Sequence, residues 1–201
     1  ILIRHGETAL NASLVLQPAN TPLSDRGIAQ AQALAERLSR LPLAAILSSD
    51  MPRAMMTAEP LAQSTGLPIV TSQLLHERNF GDLRGQAYDD LDLDPMAPGY
   101  QPPAGESWET FGARVVQAFQ QVVSLRASTP GTLVVVSHGL VIKAMLQAHL
   151  RLAAGEQAPE RMANTSVTIV DATAPHAVRL MNCDAHLHGA IADDARALSG
   201  F

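Results

Sequence analysis

The 201-residue chain has a single cysteine, Cys183, which excludes an internal disulfide and fits a reducing compartment, so a cytoplasmic protein is expected. It has no excess of positive charge. A net charge of −5 argues against nucleic acid or an anionic membrane surface as the main partner. No apolar run approaches the ~20 residues that a membrane-spanning helix needs. There is no internal repeat, low-complexity tract or linker. The sequence opens at Ile1, inside an apolar stretch and without a methionine, which leaves open whether a leader precedes it.

What is present is an ordinary globular balance, 47% apolar and 16% charged residues, enough for one well-buried domain. The chain is read as a single domain over residues 1–201, with a substrate-loop insertion around 78–107. Ile1-Leu2-Ile3 runs into Arg4-His5-Gly6, and Leu133-Val134-Val135-Val136 runs into Ser137-His138-Gly139. Both read as buried strands that deliver an imidazole to a tight turn. Ligands of parallel α/β sheets sit beyond the carboxyl ends of the strands, so two such ends with His-Gly pairs make a candidate active site.

Between these strands, residues 9–23 read as a loop with Pro18 and Pro22. Ser24 is then placed to cap a helix carrying Ile28, Ala31, Leu34, Ala35 and Leu38, which Pro42 stops. Ala44–Ser49 reads as a strand ending in hydroxyls. A helix from about Met51 to Ser64 follows, kinked at Pro60, with Met51, Met55 and Met56 as core filler. Leu67–Val70 reads as a short strand, and residues 71–105 are irregular. Ser107 caps a helix whose apolar face carries Phe111, Val115, Ala118, Phe119, Val122 and Val123. Ser166–Val170 and Ala177–Met181 close the pattern. Strands alternating with helices predict a three-layer αβα fold on a mostly parallel sheet.

Arg4-His5-Gly6-Glu7-Thr8, with Asn11 six residues after His5, resembles the signature of the histidine phosphatase superfamily, the phosphoglycerate-mutase-like proteins. Further segments resemble that family in order: Pro22–Gly27 with Gln30-Ala31, Ser48–Ala54 with Thr57-Ala58, Leu75–Gly81, Gly105-Glu106-Ser107 and Val136–Gly139. The resemblance implies that His5 is a nucleophile forming a phosphohistidine. Arg4, Arg53, His138 and Asn11 would cradle the phosphoryl group, and Glu77 would act as general acid. The residue after the second histidine is Gly139, not the aspartate that serves as acid in the family's other branch.

The chemistry agrees. A phosphomonoester carries nearly two negative charges, which planar guanidinium forks satisfy. The helix N-terminus after Gly139 is expected to add N–H donors. A carbonyl or carboxylate must fix the tautomer of His5. Thr8 and Gln17 are candidate contacts, and Thr8 and Asn11 have helix capping as their alternative role. Glu7, Glu106 and Asp82 are competing acids. Gln17, Tyr88, Tyr100 and Trp108 are candidates for the pocket wall.

No metal or cofactor is expected, since arginine and histidine supply the positive charge. The partner is a small phosphomonoester, and the protein is expected to be a monomer or homodimer. Leu10 before Asn11, where glycolytic mutases have tryptophan, and Gln17-Pro18 favour a phosphatase over a mutase. A non-catalytic phospholigand-binding module is the third reading. Outside the motifs, His149 reads as a packed helix-face residue, and Cys183 as a packing residue. His186 and His188 lack the supporting ligands of a metal site.

Overall fold

The computed structural model describes residues 1–192. Six strands form one sheet in the order β3-β2-β4-β1-β5-β6: β1 (Leu2–Arg4), β2 (Leu43–Ser48), β3 (Ile69–Thr71), β4 (Thr132–Ser137), β5 (Val167–Val170) and β6 (Val178–Cys183). The first four strands are mutually parallel, while β5 and β6 are antiparallel to their neighbours.

Alternation along the strands sends side chains to two separate cores. Ile3, Ile46, Val134 and Val136 pack with α2 (Asp25–Leu38) and α3 (Pro52–Thr65) through Leu34, Leu38, Ala54 and Leu61. Leu2, Leu47, Leu133 and Val135 face the opposite way. They pack with α4 (Trp108–Ser128) and α5 (Gly139–Ala148) through Phe111, Val115, Ile142 and Met145. With helices on both sides, β4 is buried almost end to end, which is why its sequence is a continuous apolar run. The expected three-layer αβα architecture is what forms.

Local signals set the helix ends. The Ser24 and Ser107 side chains accept from the N–H groups of Gly27 and Thr110. Pro52 opens α3, and Gly66, at φ 71°, closes it in the left-handed conformation. Helix α3 carries Pro60 inside it, as the sequence reading had it. One detail differs from that reading. A short helix, α1 (Ala9–Ala12), forms inside the predicted 9–23 loop. Four residues are too few to show apolar periodicity, and α1 exists because Thr8 and Asn11 form a reciprocal capping box.

Residues 72–107 contain three 3-10 turns, at Gln73–Leu75, Gly81–Leu83 and Tyr88–Asp90. Arg78 pins this segment by donating to the carbonyls of Pro95 (2.9 Å), Tyr100 (2.7 Å) and Glu106 (3.2 Å). Its guanidinium also lies 3.9 Å from the Trp108 ring centroid. Trp108 donates to the Ala97 carbonyl, so it serves loop packing.

Candidate active site

Strand register decides which sequence motifs meet. β1 and β4 are parallel neighbours with Arg4 opposite Ser137, so the next residue of each strand, His5 and His138, emerges at the same edge. Their ring centroids lie 5.2 Å apart. On the other side of β4, β2 ends at Ser48 and leads into Ser49, and the first turn of α3 carries Arg53. Arg4, His5, Arg53, Glu77 and His138 are all buried.

The Nδ1 of His5 lies 2.7 Å from its neighbour's carbonyl, Gly6 O. A carbonyl oxygen only accepts, so the proton resides on Nδ1 and Nε2 keeps its lone pair. Burial, and then the charges of Arg53 and Arg4, hold the His5 pKa well below the ordinary histidine value. The imidazole is therefore neutral and nucleophilic near pH 7. The His5 carbonyl is held in turn by Asn164 Nδ2 (3.1 Å) and the Thr165 N–H (3.3 Å). Sequence reasoning missed Asn164 because it stands outside every motif considered.

His138 is likewise kept neutral, chiefly by burial and then by Arg53. Its Nε2 lies 2.9 Å from Ser49 Oγ, and its buried Nδ1 has no partner among the described residues. In the tautomer where Ser49 Oγ donates to Nε2, the proton lies on this Nδ1, which can then donate to an anionic ligand. Arg4 donates to the Met162 carbonyl. Arg53 reaches the carbonyls of Pro18 and Ala19 at 3.4 Å, and its Nε is buried without an acceptor among the described residues. Burial lowers the Arg53 pKa to about 10, which leaves it charged at neutral pH.

Glu77 Oε1 accepts from the Arg78 N–H at 2.9 Å, and Oε2 from the Leu140 N–H at 3.2 Å. Burial raises its pKa, opposed by these two hydrogen bonds and by the charges of Arg53 and Arg4. The donor at the start of α5 expected to face phosphate is thus partly used by Glu77, because Leu140 is the second helical residue after His138. The competing acids are committed elsewhere or exposed. Glu7 accepts from Arg26 Nε (2.6 Å) and Ser24 Oγ (2.8 Å). Glu106 is gripped by Arg114, and Asp82 faces solvent.

Thr8, Asn11 and Gln17 are buried beside His5 in one network. The Thr8 N–H donates to Asn11 Oδ1 at 2.6 Å, the Asn11 N–H to Thr8 Oγ1 at 3.0 Å, and Thr8 Oγ1 to Gln17 Oε1 at 2.8 Å. The capping role applies to Thr8 and Asn11, and Asn11 Nδ2 also reaches Asn164 Oδ1 at 3.4 Å. Gly139, buried, is the first residue of α5. Tyr88 is tied to Asp94 at 2.6 Å, and the half-buried Tyr100 packs against the core. His76 pairs with Asp50 at the surface, and His149 stacks on Phe119 at 4.8 Å. Cys183 and His186 both touch Arg37. Among the described residues, no three His, Cys, Asp or Glu side chains cluster as a metal site. No described helix is long and apolar enough to cross a membrane.

A family model described as histidine phosphatase superfamily (branch 1) matches residues 1–184. The probable phosphoglycerate mutase GpmB of Yersinia pestis (strain Pestoides F) is 33% identical over 180 residues, covering 85% of this chain and 83% of that protein. Among solved structures, Bacillus stearothermophilus YhfR aligns with 90% of this chain and 95% of its own. The identity is 31% and the TM-score 0.78. The mycobacterial glucosyl-3-phosphoglycerate phosphatase aligns with 83% of this chain and 86% of its own, at 31% identity and a TM-score of 0.67.

Proposed function

The chain belongs to branch 1 of the histidine phosphatase superfamily, and from that premise we propose that it is a metal-independent hydrolase of small phosphomonoesters. The observation that carries this reading is the His5 tautomer. With Nδ1–H committed to the Gly6 carbonyl, the Nε2 lone pair is available among Arg4, Arg53 and His138. In the first step Nε2 attacks phosphorus, the P–O ester bond breaks, and Glu77 protonates the leaving alkoxide. Water then attacks the phosphohistidine, the P–N bond breaks, and Glu77 takes the proton from the water. The guanidinium groups and His138 offset charge on the phosphoryl oxygens throughout.

Hydrolysis is favoured over transfer to a second hydroxyl by Leu10 and Gln17-Pro18, which replace the residues seen in glycolytic mutases. Gln17 accepts from Thr8 Oγ1, so its side chain helps to hold the loop. The names of the relatives include both a mutase and a phosphatase. The deciding experiment is release of inorganic phosphate from p-nitrophenyl phosphate, with and without 2,3-bisphosphoglycerate. Steady release that disappears in His5→Ala supports the hydrolase. Phosphoryl exchange dependent on 2,3-bisphosphoglycerate, with little free phosphate, supports the mutase instead.

A further inference from the structure

Arg84 is an arginine that the phosphoryl chemistry leaves unused. It follows the 3-10 turn Gly81–Leu83, and the chain around it is joined to the loop after α1. The Gly85 N–H donates to the Leu16 carbonyl at 2.6 Å, the Leu16 N–H to the Gln86 carbonyl at 3.0 Å, and Val15 bridges Ala87. This pairing lays Arg84 next to Gln17-Pro18, and the Pro18 carbonyl is itself an acceptor for Arg53. Arg84 therefore flanks the segment whose Pro18 carbonyl meets Arg53, close enough that its charge helps to lower the Arg53 pKa.

Its surroundings do not satisfy it. The Nε of Arg84 is shielded from solvent and has no acceptor, and no ion pair involves its guanidinium among the described residues. The acid whose charge reaches it is Glu106. Both oxygens of Glu106 are already taken, by Arg114 Nε (2.8 Å) and Nη2 (2.7 Å) and by the Asn79 N–H (2.8 Å). Two neighbouring guanidinium groups, each with a buried unpaired N–H, repel each other and bear a desolvation cost. A phosphoryl group brings acceptors to Arg53. Arg84 lacks an equivalent unless the same ligand carries a second anion.

We propose that Arg84 is a specificity residue for a second anionic group, carboxylate or phosphate, borne by the alcohol portion of the ester a few bonds from the reacting phosphoryl group. The proposal rests on the hydrolase reading above. A planar fork suits either anion, and an ester without the second charge leaves the Arg84 donors unpaired, which lowers its relative affinity.

Three esters of matched size test this: ethyl phosphate, phosphoglycolate and ethane-1,2-diol bisphosphate, with kcat and KM measured for the wild type, Arg84→Gln and Arg84→Lys. The wild type is expected to prefer at least one doubly anionic ester over ethyl phosphate. Arg84→Gln should cut that preference on the order of tenfold, mainly through KM, and Arg84→Lys should restore part of it. The ester whose preference collapses identifies the second group as carboxylate or phosphate. Equal losses on all three esters, or a preference that survives in Arg84→Gln, overturns the proposal. Calorimetric affinities of the same esters for His5→Ala, with and without Arg84→Gln, read the preference without turnover. No hydrolysis with the affinity preference intact and Arg84-dependent sinks the hydrolase reading alone; hydrolysis with no such preference sinks only the role of Arg84.

Discussion

The Nδ1–H of His5 and the two oxygens of Glu77 are held by backbone groups that lie within a motif or one residue beyond it, so single substitutions address each proposed role separately. Glu77→Gln keeps the shape and one carbonyl acceptor but removes the proton donor. Turnover of an ester with a poor leaving group should fall by roughly 10²–10⁴-fold, while inhibition by inorganic phosphate changes little. Unaltered turnover removes Glu77 from the mechanism. Arg53→Ala tests the electrostatics. Because Arg53 depresses the His5 pKa, and opening the pocket would reduce desolvation, its loss raises that pKa. The acid limb of kcat/KM, which reports neutral His5, should lie below pH 6.5 in the wild type and move to higher pH in Arg53→Ala. A limb at the same pH would show that Arg53 does not set the protonation of His5.

Elements meet closely where the turn after His5 touches α2. A Cβ on Gly27 would stand 2.0 Å from the Glu7 carbonyl oxygen, and one on Gly6 would stand 2.7 Å from the Gly27 carbonyl oxygen. The turn after His5 thus rests directly on the first turn of α2, where Ser24 and Arg26 hold Glu7. Gly27→Ala has backbone on the far side of the clash and should cost about 3 kcal/mol in urea unfolding, with reduced hydrolysis as the His5 turn shifts. A stability equal to wild type would contradict this packing. On the other side of the sheet, α4 performs a similar service for Glu77. Arg114, from its second turn, grips Glu106 and donates to the carbonyls of Leu74, His76 and Glu77. That clamp fixes the backbone before Glu77, and neither its partners nor Asn164 was legible in the sequence. The motifs were read from contiguous residues, whereas these contacts join segments distant along the chain.

The whole molecule, acidic overall, buries two arginines, Arg4 and Arg53, together with His5, His138 and Glu77 at one edge of its sheet. His5 and His138 have native pKa values below the unfolded value, and His186 is lowered to about 4 by burial and then by Arg37. Below pH 6.5 the unfolded chain binds protons at these sites that the native state refuses, so stability falls as pH drops. Glu77, whose native pKa is raised, works the other way: the native state holds its proton above pH 4.5, and stability is lost as pH rises through that range. Three histidines outweigh one glutamate. Denaturation by urea at pH 7 and pH 5 should therefore show lower stability at pH 5, with roughly 1 kcal/mol per pH unit from each deeply buried histidine. His5→Gln should flatten the dependence. A stability that is constant or higher at pH 5 would mean that these imidazoles are not buried neutral.

The sequence by itself determined the strand and helix pattern, the family resemblance and the identity of the charged and imidazole groups at the strand ends. Apolar runs, serine caps and Gly66 act over a few contiguous residues, so their consequences are written locally. Tertiary structure decided the rest. It paired β1 with β4 so that His5 faces His138, put the Gly6 carbonyl on Nδ1, and distinguished Glu77 from Glu7 and Glu106 by giving those two their own arginines. It also left the buried Nε of Arg84 without an acceptor among the described residues. Distance, burial and desolvation depend on which remote segments come together, and those are fixed by sheet order and packing rather than by neighbouring residues.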